Sequence, residues 1–187
     1  MRKLNFRLDL EELYLRLLEE TDIPDLLKLY QDNQDFLQPW EPLRSASFFT
    51  LGNIAFMIQA DQEAARADEA YAFGLFLAGS NRLIGRYRLS WTMRGFAETA
   101  NLGYFLAEDY NGRGYSTRAV KRVVRFAFEE LGLHRVAAAT LTNNLGSQKV
   151  LEKAGFRREG VALRYLKINN RWEDHYLFAI TSDENSQ

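Results

Sequence analysis

The chain has no cysteine at all, and among its 187 residues it carries two histidines and three prolines. Without cysteine there is no disulfide framework, no thiol nucleophile and no thiolate-bound metal. His134 and His175 have no partner at metal-ligand spacing, so no zinc or other metal site is expected. Apolar runs are too short to span a bilayer, and membrane association is not expected. Early positive charge at Arg2 and Lys3 is followed by Asp9, Glu11 and Glu12 instead of an apolar stretch, so no secretory signal is read and the protein is expected in the cytoplasm. Charge of one sign is missing too: 24 Lys and Arg against 25 Asp and Glu leave a formal charge of −1, which disfavours nucleic acid as a partner. What the chain does have is apolar residues, 47% of the total, and that is enough for a core without metal or disulfide support. A single domain over residues 1–187 is expected, with its core at about 13–180 and a polar tail at 181–187.

Periodicity orders the elements. Residues 13–18 read as a strand, and Thr21-Asp22 opens a helix with Ile23, Leu26, Leu27 and Tyr30 on one face. Residues 36–47, with Pro39, Trp40 and Pro42, break the pattern before a second helix carrying Leu51, Ile54 and Ile58. Strands are expected at 71–77, 83–91 and 98–106, joined by turns at Gly79-Ser80-Asn81 and Arg94-Gly95-Phe96. A helix over 116–131 carries Val120, Val123, Val124 and Ala127 as its core stripe, with Lys121, Arg122 and Arg125 on the solvated side. It leads to a strand at 136–141, which requires a parallel crossover. A helix over 145–154 follows, and then strands at 163–168 and 172–180 flank Asn169-Asn170 as a tight hairpin. The result is an α/β domain.

Between a strand and the third long helix lies Asn111-Gly112-Arg113-Gly114-Tyr115-Ser116-Thr117. Glycines there permit positive φ and close approach, and the backbone N–H groups at a helix start attract an anion. By itself the stretch also reads as an ordinary helix cap.

Together with Leu102-Gly103-Tyr104-Phe105-Leu106, Leu131 to Val136, Asn144-x-x-Ser147 and Gly155-Phe156, this loop resembles the GNAT acetyltransferase superfamily. Within it, the wording is most similar to the RimJ/RimL type, the bacterial ribosomal-protein N-terminal acetyltransferases. The loop resembles the family's diphosphate signature, with Asn111 and Ser116 as departures and Gly114 as the central glycine. The resemblance implies a mostly antiparallel sheet whose central strand pair, 98–106 and 136–141, runs parallel and splays apart, with helices on both faces. It also implies acetyl-CoA as the acyl donor. Phe105, Leu106, Ala107 and Glu108 would offer backbone groups to the pantetheine arm. Asn111, Gly112, Arg113, Gly114, Tyr115, Ser116 and Thr117 would hold the diphosphate, with Arg118 behind Arg113. Asn144, Ser147 and Lys153 would complete the cofactor site.

Acetyl transfer to an amine needs a neutral amine, a polarised carbonyl and a proton for the departing thiolate. The N–H of Leu106 is the candidate for the carbonyl. Where relatives carry a tyrosine acid this chain has Leu151, which leaves that role vacant; the resemblance to RimL-like relatives implies the serine of Asn-x-x-Ser, Ser147, as the proton donor, and the alternative is a small packing residue beside an Asn144 cap. Where many relatives carry a glutamate this chain has Asn101, which cannot accept a proton. Glu98 would replace it only if a bulge turned it to the same face. A water-relayed deprotonation oriented by Asn101 is expected instead. Trp40 is the candidate at the acceptor entrance, and His175 beside Asp174 reads as a structural pair. The acceptor is expected to be a protein N-terminus of ribosomal type, reached by direct transfer in a ternary complex. A small-amine (polyamine or antibiotic) acetyltransferase and a non-catalytic acyl-CoA sensor remain as alternatives, and a homodimer stays open.

Overall fold

In the computed structural model, which describes residues 6–183, regular elements follow one another with few long gaps. They are β1 (Arg7–Leu10), β2 (Leu13–Leu17), α1 (Ile23–Asp32), α2 (Gln34–Leu37), α3 (Leu51–Arg66), β3 (Tyr71–Leu77), β4 (Leu83–Met93) and β5 (Thr99–Leu106). After these come α4 (Tyr115–Glu129), β6 (Arg135–Leu141), α5 (Leu145–Lys153), β7 (Arg157–Ile168) and β8 (Arg171–Thr181). The strands form one sheet in the order β1-β2-β3-β4-β5-β6-β8-β7, antiparallel throughout except for β5 beside β6.

Alternation along each strand decides what it presents to each side. On one side Leu13, Leu15, Tyr71, Phe73, Leu75, Tyr87, Leu102 and Phe178 meet Val120, Val123, Val124 and Ala127 of α4 and Leu151 of α5. On the other, Tyr14, Phe76 and Leu83 meet Leu26, Leu29 and Tyr30 of α1 and Ile54 and Ile58 of α3. Burial of this kind is worth about 25 cal/mol per Å² of apolar surface, and it drives both layers onto the sheet.

Three elements differ from the sequence expectation, the first being α2, a single helical turn that runs into the stretch read as a break. β1 precedes the first expected strand and pairs with it through a two-residue turn at Glu11-Glu12, where Glu11 has φ +57°. β7 starts at Arg157, six residues before the expected 163, because this edge strand is exposed on both sides over Arg157–Val161 and shows no period-two signal. The last hairpin turns at Asn169-Asn170, both at positive φ as expected for the tight turn. Of the expected polar tail, residues 184–187 lie outside the described residues.

Candidate active site

β5 and β6 pair at only three positions, Thr99 with Arg135, Ala100 with Val136 and Asn101 with Ala137, and then part. Asn101 therefore sits at the vertex of a gap that opens toward Leu106 and Leu141. The N–H of Ala107 bonds the Ile84 carbonyl of β4 at 2.8 Å, so by alternation Phe105 also turns its backbone to β4 while Tyr104 and Leu106 turn theirs into the gap. The Glu108 N–H is taken by Asn33 Oδ1 at 2.8 Å. This corrects the expectation for Phe105, Ala107 and Glu108: of that stretch, only the Leu106 N–H is aimed where a ligand could reach it. Across the gap, the Thr140 hydroxyl of β6 is buried without a partner.

At the gap's open end Gly112 and Gly114 have φ of +78° and +76°, and a Cβ on either would meet nothing within 4 Å. The first intrahelical bond of α4 runs from the Arg118 N–H to the Gly114 carbonyl, leaving the Tyr115, Ser116 and Thr117 N–H groups as the helix's unpaired donors. The side chains divide differently from expectation. Asn111 Nδ2 folds back onto the Ala107 carbonyl at 2.9 Å. Arg113 donates to the Asp109 carbonyl and lies 5.4 Å from the centre of the Tyr110 ring. Arg118 is bound by Glu12 at 2.6 Å and by Glu11, so it is held away from the turn; its guanidinium pulls the Glu12 carboxyl down to about 2. The Ser116 hydroxyl is buried against Tyr87, so Ser116 offers its N–H but not its side chain.

On the α5 side, Asn144 caps the helix: its Oδ1 accepts from the Ser147 N–H at 3.0 Å. Ser147 Oγ lies 3.0 Å from the Tyr104 hydroxyl. Tyr104 stacks on Tyr87 with ring centres 5.5 Å apart, and Tyr87 bonds Ser116 Oγ at 3.1 Å. A ladder of two hydroxyl pairs and two rings thus connects the start of α5 to the start of α4. Burial pushes the Tyr104 hydroxyl up to about 12, against the opposing effect of its Ser147 bond, and raises Tyr87 as well. Leu151 is buried in the core. Lys153 is exposed in the last turn of α5, six residues and about 9 Å along the axis from Ser147, and is not brought to the gap.

The other side of the sheet carries the Trp40 loop. Arg44 grips Glu41 at 2.7 Å and lies over Phe48, while Tyr30 packs on Phe105 at 5.0 Å. A cavity of about 50 Å³ in this loop is lined by Tyr30, Leu37, Glu41, Pro42, Arg44 and Phe49; Trp40 is half-buried outside it. The Gln38 carbonyl accepts from Asn169 Nδ2 at 3.0 Å, tying the loop to the β7–β8 turn. Between these rims the exposed floor is small: Gly103 on β5 and Ala139 on β6. Glu98 is not part of it. It lies exposed before β5, at the closed end, with its carbonyl bonded by His134 and Arg135. The sheet does have a bulge here, but on β4, where Trp91 has φ +52°; Glu98 itself has φ +40° ahead of β5, so strand alternation does not set its direction, and its place at the closed end is what separates it from the gap.

Sequence reasoning missed three participants. Tyr104 was present only as a letter of a motif, and Tyr30 as a helix-face residue. Asp61 on α3 bridges Arg86 at 2.5 Å and Arg88 at 2.8 Å beneath the Tyr30 cluster; alternating arginines on a strand were the available signal. Among the described residues no cluster of His, Asp or Glu could hold a metal, and no helix is long and apolar enough to cross a membrane.

The sequence pattern of the family described as "Acetyltransferase (GNAT) domain" matches residues 12–157. The probable N-acetyltransferase YjcK of Bacillus subtilis is 43% identical over 175 residues, covering 94% of this chain and 97% of that protein. The ribosomal protein uS5-alanine N-acetyltransferase of Escherichia coli is 31% identical over 178 residues, covering 95% and 92%. The solved ribosomal-protein-S5-alanine acetyltransferase of Vibrio fischeri matches with a TM-score of 0.91 at 32% identity, covering 96% of this chain and 98% of that one. Mycobacterium smegmatis RimJ, solved in complex with CoA-disulfide, matches at 0.89 and 28% identity, covering 94% and 84%.

Proposed function

The chain belongs to the GNAT acetyltransferase family, and from that premise we propose that it moves the acetyl group of acetyl-CoA onto the α-amine of a protein N-terminus, ribosomal proteins first among the acceptors. One observation carries the reading: β5 and β6 part directly between the unpaired N–H groups that open α4 and the Ser147–Tyr104 pair that opens α5.

The residues present fit such a donor. Gly112 and Gly114 leave the turn bare, so a diphosphate can approach the N–H groups of Tyr115, Ser116 and Thr117. The Leu106 N–H offers a polar contact along the gap. Acetyl-CoA, when bound, supplies an acyl thioester. The Leu106 N–H then holds the carbonyl oxygen where negative charge develops. Ser147 Oγ donates its proton to the departing sulfur, and the Tyr104 hydroxyl keeps Ser147 in place for that. Asn101, at the vertex, orients the acceptor amine or the water that removes its proton. A free α-amine, with an ordinary pKa near roughly 8, is already partly neutral at pH 7 and needs modest help.

The choice of a protein N-terminus is supported by the uS5-alanine enzyme, whose identity of 31% extends over 95% of this chain. The reading carries with it action in the cytoplasm, where such acceptors are made. Release of free CoA is to be measured with alanine- and serine-starting peptides against spermidine and an aminoglycoside, with products identified by mass spectrometry. Acetylated peptide N-termini are expected. Turnover on the small amines alone would replace the acceptor class, and binding of acetyl-CoA without turnover on any amine would favour a sensor.

A further inference from the structure

A base for the acceptor amine is missing from the groove as described. Asn101 cannot accept a proton, and Glu98 lies at the closed end. The nearby carboxylates are engaged, Glu41 by Arg44 and Asp61 by two arginines. His175 is a titratable group that has no part so far. His175 on β8 is 3% exposed and sits opposite Leu141 of β6 and Ala162 of β7.

Its side of the sheet follows from its neighbours. Tyr176, Phe178 and Ile180 of β8 pack into the α4 and α5 layer, so His175 points the other way. That is the side to which Asn101 and Gly103 belong, since Ala100 and Leu102 also pack under α4. Continuing the β5–β6 register past its last pair puts Leu141, and with it His175, level with Phe105, next to the Leu106 N–H. The lateral separation is two strand spacings, about 10 Å if the sheet were closed and more across the gap. The imidazole reaching in from β8 and one water taken up on the small floor between Gly103 and Ala139 would together cover that distance.

The proton inventory of the ring is set by its bond. His175 Nδ1 lies 3.0 Å from the Glu173 carbonyl oxygen. A carbonyl only accepts, so Nδ1 carries the hydrogen and the neutral ring keeps its lone pair on Nε2. The Tyr165 ring of β7 lies edge-on against the imidazole at 5.6 Å, and Glu173, paired with Arg171, shares its side of β8. From β6 only the uncharged Leu141 faces it.

We propose that His175 Nε2 is the general base of the acetyl transfer, taking the acceptor amine's proton through one water. In balance, an N–H bond of the acceptor ammonium breaks and a water O–H forms, while the same water's other proton passes to Nε2 and leaves an imidazolium. The amine lone pair freed in this way forms the amide C–N bond, the C–S bond breaks, the sulfur takes the Ser147 proton, and the second proton lost by the nitrogen restores the Ser147 hydroxyl. The imidazolium then returns its proton to solvent. This rests on the N-acetyltransferase reading, and the two fail separately: an inactive wild-type protein defeats that reading, whereas a His175 variant as fast as the native protein on the amine acceptor defeats only this one.

The test pairs two acceptors. His175→Gln and His175→Asn are compared with the native protein on an alanine-starting peptide, and on the same peptide with an aminooxy group in place of its amine, which is neutral at pH 7. Expected is a loss of about 100-fold on the amine, with the acidic limb of the pH–rate profile removed, and a loss under about 5-fold on the aminooxy acceptor. Acetyl-CoA affinity, read by calorimetry, should be unchanged. Equal losses on both acceptors would mean that His175 only packs, and loss in Glu173→Gln with none in His175→Gln would move the role to Glu173. Independently of activity, ¹⁵N-histidine labelling gives only two side chains to assign. A hydrogen on Nε2 of His175 in the neutral ring would overturn the proposal.

Discussion

Replacing Tyr104 by phenylalanine removes one oxygen and leaves the ring, so its effect can be worked out in advance. The ring keeps its stack on Tyr87 at 5.5 Å, and what is lost is the 3.0 Å contact with Ser147 Oγ and the longer one, 3.4 Å, to the Ser147 carbonyl oxygen. A single hydrogen bond contributes about 1 kcal/mol net to stability, and Ser147 is half-buried, so water can take the vacated place. Unfolding in urea should therefore show a loss near 1 kcal/mol. The kinetic effect is larger in meaning than in size. If Tyr104 holds the serine that protonates the departing sulfur, its loss should lower kcat by about 5- to 10-fold, equivalent to roughly 1 kcal/mol on the barrier. The KM for acetyl-CoA should hardly change. Ser147→Ala should cost about 100-fold, within the usual range for proton transfer. The decisive measurement is the double variant by CoA release. Because Tyr104 acts only through Ser147, Tyr104→Phe should cost nothing further once Ser147 is alanine. A double variant about 1,000-fold down, the product of the two single losses, would refute the reasoning and give Tyr104 a role of its own.

Asp61→Asn should cost about 3–5 kcal/mol in urea unfolding, because Arg86, 14% exposed, would keep its charge without a counter-ion. Gly114→Ala should lower stability by about 1–2 kcal/mol from its φ of +76° alone, since the added methyl meets no atom; calorimetry should show weaker CoA binding in the same variant. Tyr104 also predicts an alkaline loss of stability. Its folded pKa of about 12 exceeds the ordinary 10, so the folded state binds more protons in that window. Stability should hold below pH 10 and fall as pH rises toward 12, by roughly 3 kcal/mol at about 1.4 per unit; Tyr104→Phe should flatten that slope.

Legibility in the sequence followed exposure. β3 was bounded correctly at Tyr71–Leu77 because it is buried on both sides and flanked by turns. α4 was found within a residue or two because Val120, Val123, Val124 and Ala127 make a regular stripe. The first half of β7 was invisible because nothing on either side of it must be apolar. At the site, the glycine turn was legible since positive φ restricts residue type, whereas the directions of Asn111, Arg113 and Arg118 were not. Those depend on partners such as Glu12, 106 residues away from Arg118. Tyr104 and Ser147, 43 residues apart, meet only because β5 and α5 face each other across the gap.

The tie between the rims of the groove bears on how an acceptor enters. One neutral bond, Asn169 Nδ2 to the Gln38 carbonyl, closes it, and Asn169 Oδ1 is buried with no partner to add to the closure. A link worth about 1 kcal/mol is too weak by itself to lock the two rims together. An acceptor chain therefore meets a population that already contains the parted form, and its association rate should be governed by encounter and not by a gate.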